Sequence, residues 1–303
     1  MKTKCAYKVV AYALCAPFVL WSCHDTDDDD NWGKGTPTVV NVNKNDTNSE
    51  PALQRLEFPK VKGGSSVVLI HSTNDQYGIN YSVEWDTEKK AQRWTAYQMT
   101  RSYQGGAGYY GEFEEDPDLP AEFRVSDSRY YYSGSGFTRG HICPSADRQY
   151  SKEANRQTFF YTNMQPQYYN FNAGNDYTSP WVRLENQVRI WARATTTDTL
   201  YVVKGGTIED NQLLTVIKNE LRVPKYFFVA LLLKNSQGYK AVGFWLEHDN
   251  STHSGHEPLG DYAVNIRELE RLTGIDFFCN LPDDTENHVE TLALDNVKRA
   301  WRL

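Results

Sequence analysis

Stretches rich in β-branched and aromatic residues, bounded by turn residues, occur at seven places along the chain and predict β-strands. They lie at 66–72, 79–85, 94–100, 158–163, 199–205, 226–234 and 240–247. Apolar residues at helical spacing occur instead at 180–194, where Pro180 suits a helix start, and at 263–273, which stops before Gly274. These two segments are predicted to be helices.

The order of these elements indicates the fold class. Strands and helices interleave without a regular βαβ alternation, which favours an α+β fold with a mainly antiparallel central sheet flanked by helices. Residues 55–303 have the length of one domain of this class.

The first 23 residues have the pattern of an export signal. Three lysines precede an apolar stretch at 9–20, which is shorter than the ~20 residues that cross a bilayer as a helix. Residues 20–23, Leu-Trp-Ser-Cys, resemble the lipobox of bacterial lipoproteins, in which the cysteine is acylated. We expect a lipid on Cys23 that anchors the chain to the membrane; ordinary secretion with an incidental thiol is the alternative.

Residues 24–54 are predicted to form an acidic and polar, disordered tether between the anchor and the domain. An aspartate run at 27–30 follows Cys23 and resembles the surface-export signal of some Gram-negative lipoproteins. Few large apolar residues follow, so this segment is not expected to bury enough surface to fold. The expected location is the outer membrane, exposed at the cell surface.

Charge excludes one class of function. The whole chain carries −7 at pH 7, and residues 55–303 have 27 lysines and arginines against 32 aspartates and glutamates, so the domain is not basic. A protein that coats nucleic acid by bulk attraction would have a strongly basic surface. A local basic cleft remains compatible with these numbers.

Two cysteines, Cys143 and Cys279, lie outside the signal. In an exported chain such a pair is compatible with a disulfide, and two buried free thiols are the alternative. Their spacing fits no zinc framework.

The residues best suited to chemistry lie between 136 and 191. Hydrolysis of a phosphodiester needs a base for water, a cation for the phosphate and a hard metal for the leaving oxygen. His141 is suited to be the base because neutral imidazole is available near pH 7. Arg139 would share its face on an extended strand and is suited to bind phosphate oxygens.

Amide and carboxylate side chains follow in the same region. Asn163 and Asn172 offer neutral carbonyl oxygens, which suit Mg²⁺. Glu185 and Arg189 are four residues apart on the predicted helix and so share one side of it. A carboxylate at that place would order metal-bound water.

Four motifs in this order resemble the DNA/RNA non-specific endonuclease family, the ββα-metal nucleases. The family pattern is D-R-G-H, then S/T-N-x-x-P-Q, then N-x-G and W-x-x-L-E. The chain has Arg-Gly-His at 139–141, Thr-Asn-Met-Gln-Pro-Gln at 162–167, Asn-Ala-Gly at 172–174 and Trp-Val-Arg-Leu-Glu at 181–185. The resemblance covers most of residues 80–282 and implies a ββα-metal finger that carries the active site.

The resemblance also implies roles for individual residues. His141 is the implied general base, Asn172 the direct ligand of one Mg²⁺ ion (with Mn²⁺ as an alternative), and Arg139 the group that binds the scissile phosphate. Water activated by His141 would attack in line and leave a 5′ phosphate. Because the family contacts the nucleic-acid backbone, DNA and RNA are both expected substrates.

Three further residues receive supporting roles from the same resemblance. Asn163 is implied to shape the site, Glu185 to hold the water molecules of the metal, and Arg189 to support the phosphate or the leaving group.

The chain departs from the family pattern at two places. Thr138 replaces the aspartate that usually opens the first motif, and we expect this change to retune activity. Residues 111–113 stand where some members carry a second phosphate-binding arginine. Candidate substitutes are Arg101, Arg124 and Arg148.

These departures leave two other functions open. One is a catalytically silent lipoprotein that binds nucleic acid, and the other is a hydrolase of a small phosphodiester. The presence of His141, Asn172 and Glu185 disfavours the silent protein, because binding alone needs neither a base nor a metal site.

Overall fold

The computed structural model describes residues 40–48, 50–103, 106–174 and 177–303. The signal, Cys23 and the aspartate run lie outside the described residues. Within the described part, eleven strands are β1 (Ser66–Ser72), β2 (Ile79–Asp86), β3 (Ala91–Met99), β4 (Thr138–His141), β5 (Met164–Gln167), β6 (Thr199–Gly206), β7 (Leu213–Ile217), β8 (Leu221–Pro224), β9 (Tyr226–Asn235), β10 (Gly238–Glu247) and β11 (Ala263–Val264).

Seven α-helices occur in the same described part of the chain. They are α1 (Ser128–Tyr132), α2 (Lys152–Gln157), α3 (Tyr169–Asn172), α4 (Pro180–Arg193), α5 (Ile266–Thr273), α6 (Asp283–Glu290) and α7 (Leu294–Trp301). None of the described helices is long and apolar enough to span a membrane.

The strands form one large sheet and two hairpins. The large sheet has the order β1-β2-β3-β6-β9-β10-β11, and each neighbouring pair is antiparallel. Strand β4 pairs only with β5, and β7 only with β8, among the described strands. The prediction of an α+β fold around a mainly antiparallel sheet is therefore confirmed.

Both faces of the large sheet are buried. On β6 and β9, Val202 and Val229 belong to the core cluster that includes α4 and α7. Their neighbours Val203 and Ala230 belong to the cluster on the other face, with α5 and α6. Successive side chains of a strand point to opposite faces, so a strand covered on both sides is apolar almost throughout.

The two predicted helices form close to their predicted bounds. Helix α4 begins at Pro180, and Ser179 caps it by accepting a hydrogen bond from the Trp181 amide. Helix α5 starts three residues later than predicted, because Ala263 and Val264 pair with β10 as strand β11. It ends at Gly274, whose φ of 66° is the left-handed conformation that glycine adopts readily.

One predicted strand, 158–163, is wrong. Its last three residues form a 3-10 helix, Tyr161–Asn163, and the strand starts only afterwards, as β5. The aromatic run at 159–161 produced the false strand signal, since Phe159 and Phe160 are buried outside the named strands and Phe160 makes only an isolated bridge to Glu114.

The tether expected at 24–54 also requires correction in its second half. Residues 51–54 form a 3-10 helix, and Asn45 is only 4% exposed. The Asn45 amide donates to the Pro59 carbonyl, and Asn41 donates to the Cys279 and Leu281 carbonyls. Apolar content does not predict this attachment, because asparagine amides hold the segment by hydrogen bonds.

Both cysteines of the domain, Cys143 and Cys279, are free and buried. The structure thus favours the alternative of two free thiols over a disulfide. Burial raises the pKa of both thiols, which keeps them protonated and unreactive.

A group of carboxylates lies where α5 and α6 meet. Burial first, and then the neighbouring carboxylates, raise the pKa of Glu270 to about 7 and that of Glu290 to about 9. Arg267 lies 3.1 Å from the Glu270 carboxylate and 2.9 Å from that of Glu290.

Because of this group, we expect the protein to become less stable as pH rises. Both folded pKa values exceed the unfolded value of about 4.3, so the free energy of unfolding should decrease as pH rises from about 5 to about 9. Glu290→Gln, which is neutral at every pH, should flatten that dependence in urea denaturation. The exposed Glu88→Gln is the matched control, and an equally steep dependence in both variants would contradict this account.

Candidate active site

The hairpin of β4 and β5 carries the first motif of the site. In its register His141 faces Met164 and Thr138 faces Gln167. Gly140 is required here, because a Cβ at this position would lie 2.0 Å from the buried Gln167 side chain. The absence of a side chain at Gly140 thus allows the Gln167 side chain to pack directly against the backbone of β4.

Asn163 fixes the end of this hairpin. Its Oδ1 accepts from the Cys143 amide at 2.8 Å, and its Nδ2 donates to the carbonyls of Cys143 and Thr158. The side chain is fully buried, so all three bonds are shielded from water. Asn163 therefore positions the backbone beside His141.

A buried ion pair braces the segment just before Asn163. His71 lies between Asp116 and Asp118, with nitrogen–oxygen distances of 3.1 and 3.5 Å. Burial alone would lower the pKa of His71, but the two carboxylates raise it to about 9. The imidazole and the Asp116 carboxylate are both buried, so we describe this group as an ion pair. The Thr162 hydroxyl donates to Asp116 and ties the pair to the site.

His141 lies at the end of β4 against aromatic rings. Its ring centroid is 4.8 Å from that of Phe159 and 5.9 Å from that of Phe113. Its Nε2 is buried and has no hydrogen-bond partner among the described residues. Burial, and then the positive charge of Lys204, lower the pKa of His141 to about 4. The imidazole is therefore neutral at pH 7 and able to accept a proton.

Arg139 and His141 both contact the ring of Phe113, as expected for side chains two residues apart on one face of a strand. Its guanidinium carbon lies 5.0 Å from the centroid of Phe113 and 5.1 Å from that of Tyr132. Its Nη2 donates to the Arg129 carbonyl at 3.2 Å. Aromatic faces hold the cation without neutralising its charge, which leaves it available for an anion.

Asn172 ends α3 and is joined to β4 through Thr138. The Asn172 Nδ2 donates to the Thr138 hydroxyl at 2.9 Å, and that hydroxyl donates to the Gln167 carbonyl. The amide orientation is thereby set, with the Oδ1 directed away from Thr138. A neutral, oriented amide oxygen fits a hard divalent cation.

Glu185 and Arg189 lie on one side of α4, as their spacing predicts, 3.7 Å apart. Arg189 also donates to the buried Asp147 at 2.6 Å, just after β4. Glu185 lies 2.6 Å from the Nζ of Lys204 on β6. These two contacts join α4 to the hairpin and to the large sheet.

Lys204 is the residue of this site that the sequence analysis missed. It is 2% exposed, and its Nζ lies 4.2 Å from the centroid of Trp181. A lysine within a strand of otherwise apolar residues was the available signal, because a buried charge needs a partner. Gly205 and Gly206, which follow it, serve close packing, since a Cβ on either would overlap a neighbouring side chain.

The structure narrows the choice of arginine that could replace the second phosphate-binding arginine of the family. Phe113 lies in the segment where that arginine would stand and contacts both His141 and Arg139. Arg148 is fully buried over Tyr97, and Arg124 donates to the carbonyls of its own loop. Neither is therefore free to bind phosphate, whereas the third candidate, Arg101, is exposed.

A hairpin followed by a short helix, with an imidazole on the hairpin and an amide on the helix, defines the ββα arrangement of a metal-dependent nuclease. The model of the DNA/RNA non-specific endonuclease family matches residues 67–284. The chain belongs to this family, and it is an endonuclease.

Individual relatives agree with this assignment. A nuclease of Nostoc sp. is 31% identical over 221 residues, which is 70% of this chain and 75% of the relative. Nuclease C1 of Cunninghamella echinulata is 29% identical and covers 68% of this chain and 83% of its own. The mitochondrial nuclease EXOG of Xenopus laevis is 28% identical over 68% of this chain, but the match spans only 58% of that protein.

The fold is similar to that of a solved structure of EndoG in complex with EndoGI. The TM-score is 0.59 at 21% identity, and the match covers 72% of this chain and 89% of that one.

Lys204→Met should shift the pH dependence of cleavage. Loss of the positive charge raises the pKa of His141, so the acid limb of the pH–rate profile should move to higher pH. The rate on plasmid DNA, measured from pH 4 to pH 8, checks this expectation. Lys234→Met, at an exposed position on β9, is the control, and an unmoved acid limb in Lys204→Met would refute the electrostatic link.

Proposed function

We propose that the chain hydrolyses phosphodiester bonds in both DNA and RNA, with His141 as the general base and Asn172 as the metal ligand. The observation that carries this proposal is a neutral imidazole on the same strand as Arg139, with both side chains against the Phe113 ring. A base and a phosphate-binding cation are thus side by side.

The proposed reaction is an in-line displacement. His141 accepts a proton from water, the water oxygen attacks phosphorus, and the bond to the 3′ oxygen breaks, which leaves a 5′ phosphate. Arg139 binds the non-bridging oxygens of the scissile phosphate. A Mg²⁺ ion bound through Asn172, with Mn²⁺ as an alternative, would stabilise the charge on the leaving oxygen.

Helix α4 supplies the supporting groups. Glu185, whose carboxylate pairs with Lys204, would hold the water molecules of the metal, and Arg189 would support the phosphate or the leaving group. Because every group in this scheme acts on phosphate or water, base identity and the 2′ hydroxyl have no role. Indifference to sugar and sequence follows from that set of contacts.

His141→Ala should slow the cleavage of plasmid DNA and of total RNA by roughly 10²–10⁴-fold. EDTA should have the same effect on the wild type, and Mg²⁺ should reverse it. Gel assays of both substrates check these outcomes, with His256→Ala in an exposed loop as the matched control. Wild-type protein that binds nucleic acid but never cuts it under several divalent metals would favour a silent binder instead.

A small phosphodiester is the remaining alternative substrate. The same assay with a cyclic dinucleotide distinguishes it, since a hydrolase of small substrates would cut that compound and leave plasmid DNA intact.

Thr138→Ala should weaken the metal site specifically. Without its hydroxyl the Asn172 amide loses the contact that orients it, so half-maximal activity should need a higher Mg²⁺ concentration. A metal titration of the cleavage rate measures this shift, and Thr138→Ser, which keeps the hydroxyl, should titrate like the wild type. An unchanged titration in Thr138→Ala would remove Thr138 from the metal site.

We further propose that the enzyme is an outer-membrane lipoprotein, exposed at the cell surface and anchored through a lipid on Cys23. The basic start, the short apolar stretch and the cysteine at its end support this proposal. Cys23→Ser should prevent incorporation of radioactive palmitate and move the nuclease from the membrane fraction to the soluble fraction. Palmitate labelling of the variant at the wild-type level would contradict the anchor.

A further inference from the structure

Two consecutive tyrosines lie exposed near the active site. Tyr109 is 64% exposed and Tyr110 is 40% exposed, in the loop before the Phe113 segment. We call these two residues the aromatic platform. Large aromatic rings are favoured in cores and interfaces, so two adjacent exposed rings beside a catalytic centre indicate a surface that binds a ligand.

A single ring connects this platform to the proposed general base. Phe159 lies 5.0 Å from Tyr109 and 4.8 Å from His141, as measured between ring centroids. Tyr110 also contacts Phe159, at 5.8 Å. A ligand that covers the platform is therefore next to the atoms that react.

The platform is held in place by its own backbone. The amides of Gly106 and Ala107 donate to the Gln149 carbonyl, and the Tyr110 amide donates to the buried Asn155 side chain. Gly111 has a φ of 87°, and a Cβ there would lie 3.1 Å from the Tyr109 ring. The glycine allows that ring to lie across the backbone, so the ring is oriented before any ligand binds.

Positive charge lies beside the same rings. The guanidinium of Arg139 lies over the ring of Phe113, and the Phe113 ring is 5.3 Å from that of Phe159, as measured between centroids. Aromatic faces next to cations are the combination that binds single-stranded nucleic acid, because every base has a face that can stack and every nucleotide carries a phosphate.

A duplex does not offer the same contact. Its bases are paired and already stacked on both faces, so a ring at the protein surface can stack only on a base that has left the helix. The chemistry of the platform thus selects an unpaired nucleobase and not the backbone of a double strand.

We propose that Tyr109, supported by Tyr110, stacks on an unpaired base that flanks the scissile phosphate, and that this contact makes the enzyme prefer single-stranded over double-stranded nucleic acid. The proposal rests on the proposed nuclease function and adds a preference of substrate to it.

The test combines a protein variant with a substrate variant. Wild type, Tyr109→Ala and Tyr109→Phe are compared on a single-stranded oligonucleotide, on its duplex, and on single strands in which one nucleotide lacks its base. Cleavage rates are read at the phosphates on both sides of that position. The fluorescence of 2-aminopurine at the same position, measured in EDTA so that no cleavage occurs, reports stacking directly.

Tyr109→Ala should lower kcat/KM on the single strand by about tenfold and on the duplex by much less. Tyr109→Phe, which keeps the ring, should act like the wild type. On the strand that lacks one base, the wild type should cut one of the two flanking phosphates as slowly as Tyr109→Ala does. Loss of the base and loss of the tyrosine ring should have equal effects because each removes the same stacking contact. Quenching of 2-aminopurine by the wild type should be lost in Tyr109→Ala.

Equal losses on single strand and duplex would overturn the proposal, since they would indicate a general effect on the site. Independent effects of the missing base and the missing ring would also overturn it. If Tyr109→Ala matches an active wild type on every substrate, the platform has no role although the nuclease function stands. An inactive wild type would instead refute the proposed function itself.

Discussion

The large antiparallel sheet is buried on both faces, and this constraint organises the rest of the molecule. A strand covered on both sides has no place for an unpaired charge, because burial without a partner costs several kcal/mol. Lys204 is nevertheless on such a strand, on the face that α4 covers. It pairs with Glu185 and lies over Trp181, so the two ends of the fourth sequence motif, 181–185, are held against the sheet by one buried cation.

The hairpin of β4 and β5 is positioned in a different way. Its strands are not part of the large sheet, and polar side chains join them to the neighbouring segments. The Asn163 amide joins the end of β4 to the turn before β5, and Thr138 joins β4 to α3. Hydrogen bonds have direction, so they set the orientation of Asn172 and the backbone beside His141 more strictly than apolar packing would.

The β4–β5 hairpin and the large sheet are linked electrostatically, through His141 and Lys204. The imidazole lies against aromatic rings with its Nε2 buried, and desolvation together with the charge of Lys204 lowers its pKa. The same cation thus pairs with the carboxylate of α4 and lowers the pKa of the His141 imidazole.

The sequence alone determined the central strands, helices α4 and α5, and the identity of the residues in the motifs. These features are local: strand and helix periodicity, the proline and glycine at helix ends, and short spacings can be read within a few residues. The tertiary structure decided what depends on distant contacts. It replaced the strand at 158–163 by a turn that Asn163 holds, and it attached residues 40–48 to the domain through asparagine amides. It also left two thiols unpaired and brought Lys204 to Glu185. Such pairings join residues far apart in the chain, and no local pattern records which distant partner a polar group will meet.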